Sequence, residues 1–259
     1  MGNYFGIDSI QSINNAIVCN LYQPPALDSN NISKIVGLPN VYSFNINQKN
    51  LKINVLEIYP KYKLNAKRMI IFSHGNACDN FTMYTYLSYL ADNLGIMICS
   101  YDYPKYGLSE GELNEQTCNM SLKMVAKYYL KKDYKITLVA QSIGSGIAID
   151  LISNNNWKRP VILISPYMSI PSILFGTTCI DSSIVNHRYD SINKIEKIKC
   201  AVKIFHGIND TLITISHAKN LFKLLPNKRL KPTWLNKCDH NNILGKIKIN
   251  DYLDVVNVQ

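Results

Sequence analysis

Arginine is scarce in this chain: only four of its 28 basic residues are Arg (Arg68, Arg159, Arg188 and Arg229), although the formal net charge is +10. Nucleic-acid readers depend on arginine forks for base and phosphate contacts, and no basic run here is interleaved with aromatics. The charge therefore reads as a solvated lysine surface, suited to weak peripheral contact with anionic membranes, and nucleic acid is not an expected partner. Cys-x-x-Cys pairs are missing as well. The seven cysteines are scattered and odd in number, which argues for reduced structural thiols and against a disulfide framework. No two His or Cys stand at metal-ligand spacing, so neither a metal nor another cofactor is expected. The chain lacks a charged start leading into an apolar stretch, and it lacks any apolar run as long as a membrane span. Those absences point to a cytoplasmic compartment. The opening Met1-Gly2-Asn3-Tyr4-Phe5-Gly6 has the glycine of a myristoylation signal but places Gly6 where that signal wants Ser or Thr, so Gly2 reads as part of a plain terminus.

What is present suits one large core: 259 residues, 47% hydrophobic and 18% charged, with no internal repeat or low-complexity tract. Residues 1–40 carry Pro24-Pro25 and Pro39 without clear periodicity and read as an N-terminal extension, or a short helix lying on the domain. From Val41 to the end, strand-like and helix-like runs alternate. Eight strands are expected, at Val41–Ile46, Leu51–Tyr59, Met69–Ser73, Ile96–Tyr101, Ile136–Ala140, Val161–Ser165, Val202–Phe205 and Pro232–Leu235. The first two alternate apolar with polar, as an antiparallel hairpin does, whereas several later ones are continuous apolar runs, as buried parallel strands are. Helices are expected at Asn80–Asn93, Glu115–Lys131, Ile143–Ser153 and Ser216–Leu225. The pattern implies an α/β class, a mostly parallel eight-stranded sheet with helices on both faces. One segment, 166–190, breaks the alternation after the sixth strand. Its Tyr167, Met168, Ile170, Ile173, Leu174 and Phe175 read as a small cap that walls an apolar site.

The chemistry-bearing motif is Ile136-Thr-Leu-Val-Ala-Gln-Ser-Ile-Gly-Ser-Gly146, an apolar strand that turns sharply into a helix of small residues. A serine at such a turn adopts a strained backbone, so the residues two before and two after it must be small. Ala140 and Gly144 meet that need, with Ala140 standing where glycine is more usual. Ser142 is thereby the candidate nucleophile, at a helix N-terminus whose free amides and dipole favour negative charge.

A serine hydroxyl needs a base within reach, and that base needs a third group to hold its tautomer. Phe205-His-Gly-Ile-Asn-Asp210 follows the seventh strand, and Cys238-Asp-His-Asn241 follows the eighth. Both loops fall at the C-terminal sheet edge, where Ser142 also lies. Asp239 adjoins the histidine and reads as a turn residue; Asp181 and Asp190 sit in the insertion with no strand to deliver them. Asp210 is the acid that remains. Among five histidines, His187 is in the insertion, His217 falls on a surface helix, and His206 ends a strand ahead of Gly207. His240 alone follows the eighth strand and is the candidate base. The third strand ends in His74-Gly75-Asn76, a loop able to aim N–H groups at a developing oxyanion; the amides of Asn76 and Ile143 are the candidate donors, and His74 is a turn residue.

Together Phe72-Ser-His-Gly-Asn-Ala77, Ser100-Tyr-Asp-Tyr-Pro-Lys-Tyr-Gly-Leu-Ser-Glu-Gly111, Gln141-Ser-Ile-Gly144, Ser165-Pro166, His206-Gly207 with Asp210, and His240-Asn241 resemble the α/β-hydrolase-domain proteins that include the protein depalmitoylases. The resemblance runs from about residue 40 to 245. It implies the α/β-hydrolase fold and an esterase or thioesterase acting on acyl chains, with Ser142, Asp210 and His240 matching the family's triad. A lipidated protein is among the substrates it implies. Some members carry the acid just after the sixth strand, where this chain has Ser165-Pro166. The depalmitoylases also carry a cysteine-rich N-terminal segment, and here only Cys19 precedes residue 78. A carboxylesterase or peptidase of small substrates, or a non-catalytic scaffold of the same fold, are the readings set against it.

Overall fold

The computed structural model describes residues 12, 15–17, 20–62, 67–176 and 185–258. Gly2, Cys19 and Asp181 lie outside the described residues, as does the stretch 177–184 of the expected cap. Eight strands form one sheet in the order β1-β2-β4-β3-β5-β6-β7-β8. The hairpin of β1 (Val41–Gln48) and β2 (Leu51–Ile58) is antiparallel, with Val41 opposite Ile58 and Gln48 opposite Leu51. β2 also runs antiparallel to β4 (Met97–Tyr101). All other pairings are parallel, through β3 (Arg68–Ser73), β5 (Lys135–Gln141), β6 (Val161–Ile164), β7 (Val202–Gly207) and β8 (Thr233–Leu235).

The period of two along each strand builds two cores on opposite faces of this sheet. Met69, Ile71, Leu138, Ala140, Val161, Leu163, Val202 and Ile204 point to one core, where they meet α3 (Glu115–Leu130), α4 (Ile143–Asn154) and α6 (Ile215–Leu224). Ile70, Phe72, Val139, Ile162, Ile164 and Phe205 point to the other, against α1 (Ser29–Val36), α2 (Tyr84–Leu94) and α7 (Ile249–Val256). Each such aliphatic side chain contributes about 1.5–3 kcal/mol on burial, which is why the central strands read as unbroken apolar runs.

Three details differ from the sequence expectation. α2 starts at Tyr84, because the Asp79 carboxylate accepts the N–H groups of Phe81 and Thr82 and holds that stretch as a turn. α7 had no expected counterpart; its Tyr252, Val255 and Val256 close the second core, and Arg68 Nη1 donates to the Val256 carbonyl at 2.6 Å. α5 (Ile170–Phe175) lies in the segment after β6, started by Ser169, whose hydroxyl accepts the Ser172 N–H. The N-terminal stretch also joins the main body, with Ile17 and Tyr22 buried in the first core.

Gly207 closes β7 against the chain that follows β8. A Cβ there would collide with the Cys238 carbonyl oxygen, while the Asn209 N–H already donates to that carbonyl at 2.9 Å. Gly207→Ala is therefore expected to cost about 1–3 kcal/mol through forced backbone shifts. A thermal melt should show a midpoint lowered by several degrees; an unchanged melt would mean that the two loops approach less closely.

Candidate active site

β5 stops at Gln141 and α4 starts at Ile143, so Ser142 alone makes the turn. Its backbone sits at φ 52°, ψ −121°, a region that costs a side-chain-bearing residue on the order of 1–3 kcal/mol. Three hydrogen bonds hold its backbone there: the Ser142 N–H donates to the Ile164 carbonyl at 2.9 Å, and the Ser145 N–H and hydroxyl donate to the Ser142 carbonyl at 2.9 and 2.6 Å. The small residues after it are required by contact. A Cβ on Gly144 would stand 2.5 Å from the Ser73 carbonyl oxygen, and one on Gly146 would strike the Tyr167 hydroxyl.

Asp210, in the loop after β7, and His240, in the loop after β8, meet Ser142. His240 Nδ1 lies 2.8 Å from Asp210 Oδ2, and His240 Nε2 lies 3.0 Å from Ser142 Oγ. A carboxylate only accepts, so Nδ1 carries the proton, and the bare Nε2 accepts from the serine hydroxyl. Asp210 Oδ1 accepts the N–H groups of Leu212 and Ile213 at 3.1 and 2.8 Å. Burial by itself would raise the Asp210 pKa, but the hydrogen bonds from His240 and Ile213, with the neighbouring imidazoles, outweigh it and hold the carboxyl below its ordinary range. Asp239 does not compete, since its carboxylate accepts the N–H groups of Asn241 and Asn242 in a tight turn. Asp190 lies beside Arg188 in the insertion.

Asn76 and Ile143 line the same cavity as Ser142, and their N–H groups have no acceptor among the described residues. A Cβ on Gly75 would be 3.7 Å from Ser142 Cβ, which puts the loop directly against the serine. His74 is fully buried, with Nδ1–H donated to the Gly75 carbonyl. Burial pushes its pKa down to about 4 and pushes the Asp102 carboxyl up, and Nε2 stands 3.6 Å from Asp102 Oδ1.

His206 was expected only to end a strand; it is buried beside Asp210, 3.6 Å from Oδ2, and donates through Nε2 to the Ile213 carbonyl at 2.7 Å. His217 lies on α6 as expected, but the helix turns this face inward, and Nδ1 accepts from Met168 N–H and Ser172 Oγ. His187 accepts the Glu115 N–H at the start of α3. Missed entirely from the sequence was the N-terminal wall. Ala16, Ile17, Asn20 and Leu21 face Tyr167, Ile170, Ile173, Leu174 and Phe175 across a cavity of about 600 Å³ that reaches Ser142. That volume falls within the range of small-molecule sites.

No family model matches the chain. The protein L404 of Acanthamoeba polyphaga mimivirus, named as an α/β hydrolase, is 38% identical over 272 residues, covering 99% of this chain and 98% of its own length. The chain belongs to the α/β-hydrolase family. The α/β-hydrolase domain-containing protein aho-3 of Caenorhabditis elegans is 33% identical over 189 residues, 69% of this chain; that match spans only 54% of the worm protein. Among solved structures, Est1E of Butyrivibrio proteoclasticus with bound ferulic acid superposes with a TM-score of 0.69 at 16% identity, over 83% of this chain and all of that one. This last likeness is one of fold. No helix of the hydrolase among its described residues is long and apolar enough to cross a membrane.

The depressed Asp210 pKa carries a sign for stability. An ionised Asp210 stabilises the fold fully above its unfolded value, near 3.8, and that contribution is lost as pH falls through the lower folded value. Urea unfolding should therefore show the gap between wild type and Asp210→Asn shrinking from pH 7 to pH 2.5. A gap that stays constant would contradict the depressed value.

Proposed function

We propose that this hydrolase cleaves an ester or thioester through a covalent acyl-enzyme on Ser142, with His240 as general base and acid and Asp210 as the orienting carboxylate. The observation that carries this is the continuous chain of hydrogen bonds from Asp210 through His240 to Ser142 at the end of an apolar cavity. In the first step Ser142 Oγ bonds to the acyl carbon while its proton passes to His240 Nε2. The carbonyl electron pair moves onto oxygen, where the Asn76 and Ile143 amides receive it. The intermediate collapses, the bond to the leaving alkoxide or thiolate breaks, and His240 returns the proton to that group. Water then attacks the acyl-enzyme in the same manner, giving a carboxylic acid and restoring Ser142. Asp210 stabilises the imidazolium throughout without taking its proton.

Within this reading, the favoured acyl group is long and apolar, such as a palmitoyl thioester on a protein. The support is the aliphatic wall and a rim of half-exposed Leu174, Phe175 and Leu212, together with the sequence resemblance to depalmitoylases. Such a rim also suits peripheral contact with a membrane that holds the substrate, helped by the lysine-rich surface. Nucleic acid is not proposed as a partner, and the proposed chemistry calls on no cofactor.

A fluorophosphonate should label the wild-type chain at Ser142, with labelling abolished in Ser142→Ala and strongly reduced in His240→Ala. An unlabelled wild type, beside a reactive control hydrolase, would favour the non-catalytic scaffold. For substrate, kcat/KM on acyl thioesters from two to sixteen carbons should rise with length, and Ile173→Phe, which narrows the cavity, should move the optimum to shorter chains. A flat profile, or a preference for acetyl esters, would favour the small-substrate carboxylesterase.

A further inference from the structure

The motif Tyr101-Asp-Tyr103-Pro-Lys-Tyr106 at the end of β4 has no part in the steps above, yet each of its tyrosines is fully buried, with its hydroxyl against the end of β3 or the loop that follows it. Tyr101 Oη pairs with Ser73 Oγ at 2.7 Å, Tyr103 donates to the His74 carbonyl at 2.6 Å, and Tyr106 donates to Asn76 Oδ1 at 2.6 Å. The last bond differs from the other two because it is joined from outside. The Gln23 N–H donates to the same Asn76 Oδ1 at 2.9 Å and also reaches Tyr106 Oη at 3.1 Å. A backbone N–H can only donate, so the Asn76 amide must present its oxygen to both groups.

We propose that Tyr106, together with the Gln23 backbone amide, is a positioning element for the oxyanion donor: it fixes the Asn76 side chain and so aims the Asn76 N–H at the reacting carbonyl. The inference rests on the serine-hydrolase reading. Ala77, directly after Asn76, has a φ of 53°, so the chain turns sharply out of the regular strand geometry of β3 at the residue whose N–H is to be aimed. The segment that contributes Gln23 is the one whose Ala16, Ile17 and Leu21 wall the cavity. Substrate binding and oxyanion geometry are thus joined through one short stretch of chain. A donor misplaced by a fraction of an ångström loses much of its transition-state value and little of its ground-state value.

The test is steady-state hydrolysis of p-nitrophenyl butyrate, with inhibition by an alkylboronic acid whose tetrahedral serine adduct puts an oxygen in the oxyanion position. Tyr106→Phe should lower kcat about tenfold with KM within twofold, and should weaken the boronic acid by a similar factor. Asn76→Ala should do the same, and Tyr106→Phe/Asn76→Ala should be no slower than Asn76→Ala alone, because the hydroxyl acts through that side chain. If Tyr106→Phe leaves kcat unchanged, or multiplies the loss in the Asn76→Ala background, the positioning role is overturned. Should Tyr106→Phe fold poorly in a thermal melt, Asn76→Ala decides alone: unchanged kcat and boronic acid affinity overturn the proposal. Fluorophosphonate labelling of the wild type separates the two levels. A labelled enzyme with indifferent variants defeats only this inference, whereas an unlabelled wild type defeats the hydrolase reading and this one with it.

Discussion

Ser142 is held in an unfavourable backbone conformation because β5 must end and α4 must begin on either side of a single residue. Its amide stays bonded to β6, so the strand cannot give way, and α4 must run back against the end of β3, where Gly144 touches the Ser73 carbonyl. The strain is maintained by the packing of two cores and costs a small fraction of what that packing supplies. What it achieves is placement. The serine side chain stands clear of the sheet edge, and the loops after β3, β7 and β8 converge on it, since those strands lie in the same parallel run. Lose the close approach at Gly144, and the hydroxyl, the loop after β3 and the imidazole no longer share one point in space.

Electrostatics around that point follow a simple division. Burial disfavours the charged form of most groups there: it lowers the pKa of His74, His206 and His217 and raises that of Asp102. Asp210 goes the other way: its carboxyl is held below the ordinary range because His240 and the Ile213 N–H donate to it. Asp210 therefore acts as a fixed negative charge beside an imidazole, in surroundings of low dielectric where such an interaction is worth more than in water. The neutral histidines add orientation without competing for that charge.

Much of the fold was legible in the sequence. All eight strands fall within a few residues of their expected places, because burial on both faces forces continuous apolar runs in the central strands and the part-solvated edge strand β1 allows alternation. Ser142 was legible because the elbow demands small residues at fixed offsets. Asp210 and His240 were legible by chain order, each on the loop after a strand that the pattern had already placed. α7 escaped notice since eight residues give a weak helical period, and the inward face of His217 depends on which side of α6 meets the sheet.

The sequence by itself determined the strand count, the class of fold, the elbow and the three residues of the candidate triad, because each is written in residues close together or in strictly ordered loops. Only the tertiary structure decided that Ala16, Ile17, Asn20 and Leu21 form a wall of the cavity, and that Gln23 and Tyr106 share the Asn76 side chain. The second of these joins positions 83 residues apart, and the first reaches across to Tyr167 and Phe175. Their existence is set by how whole elements pack, and no local pattern of hydrophobicity or spacing records it.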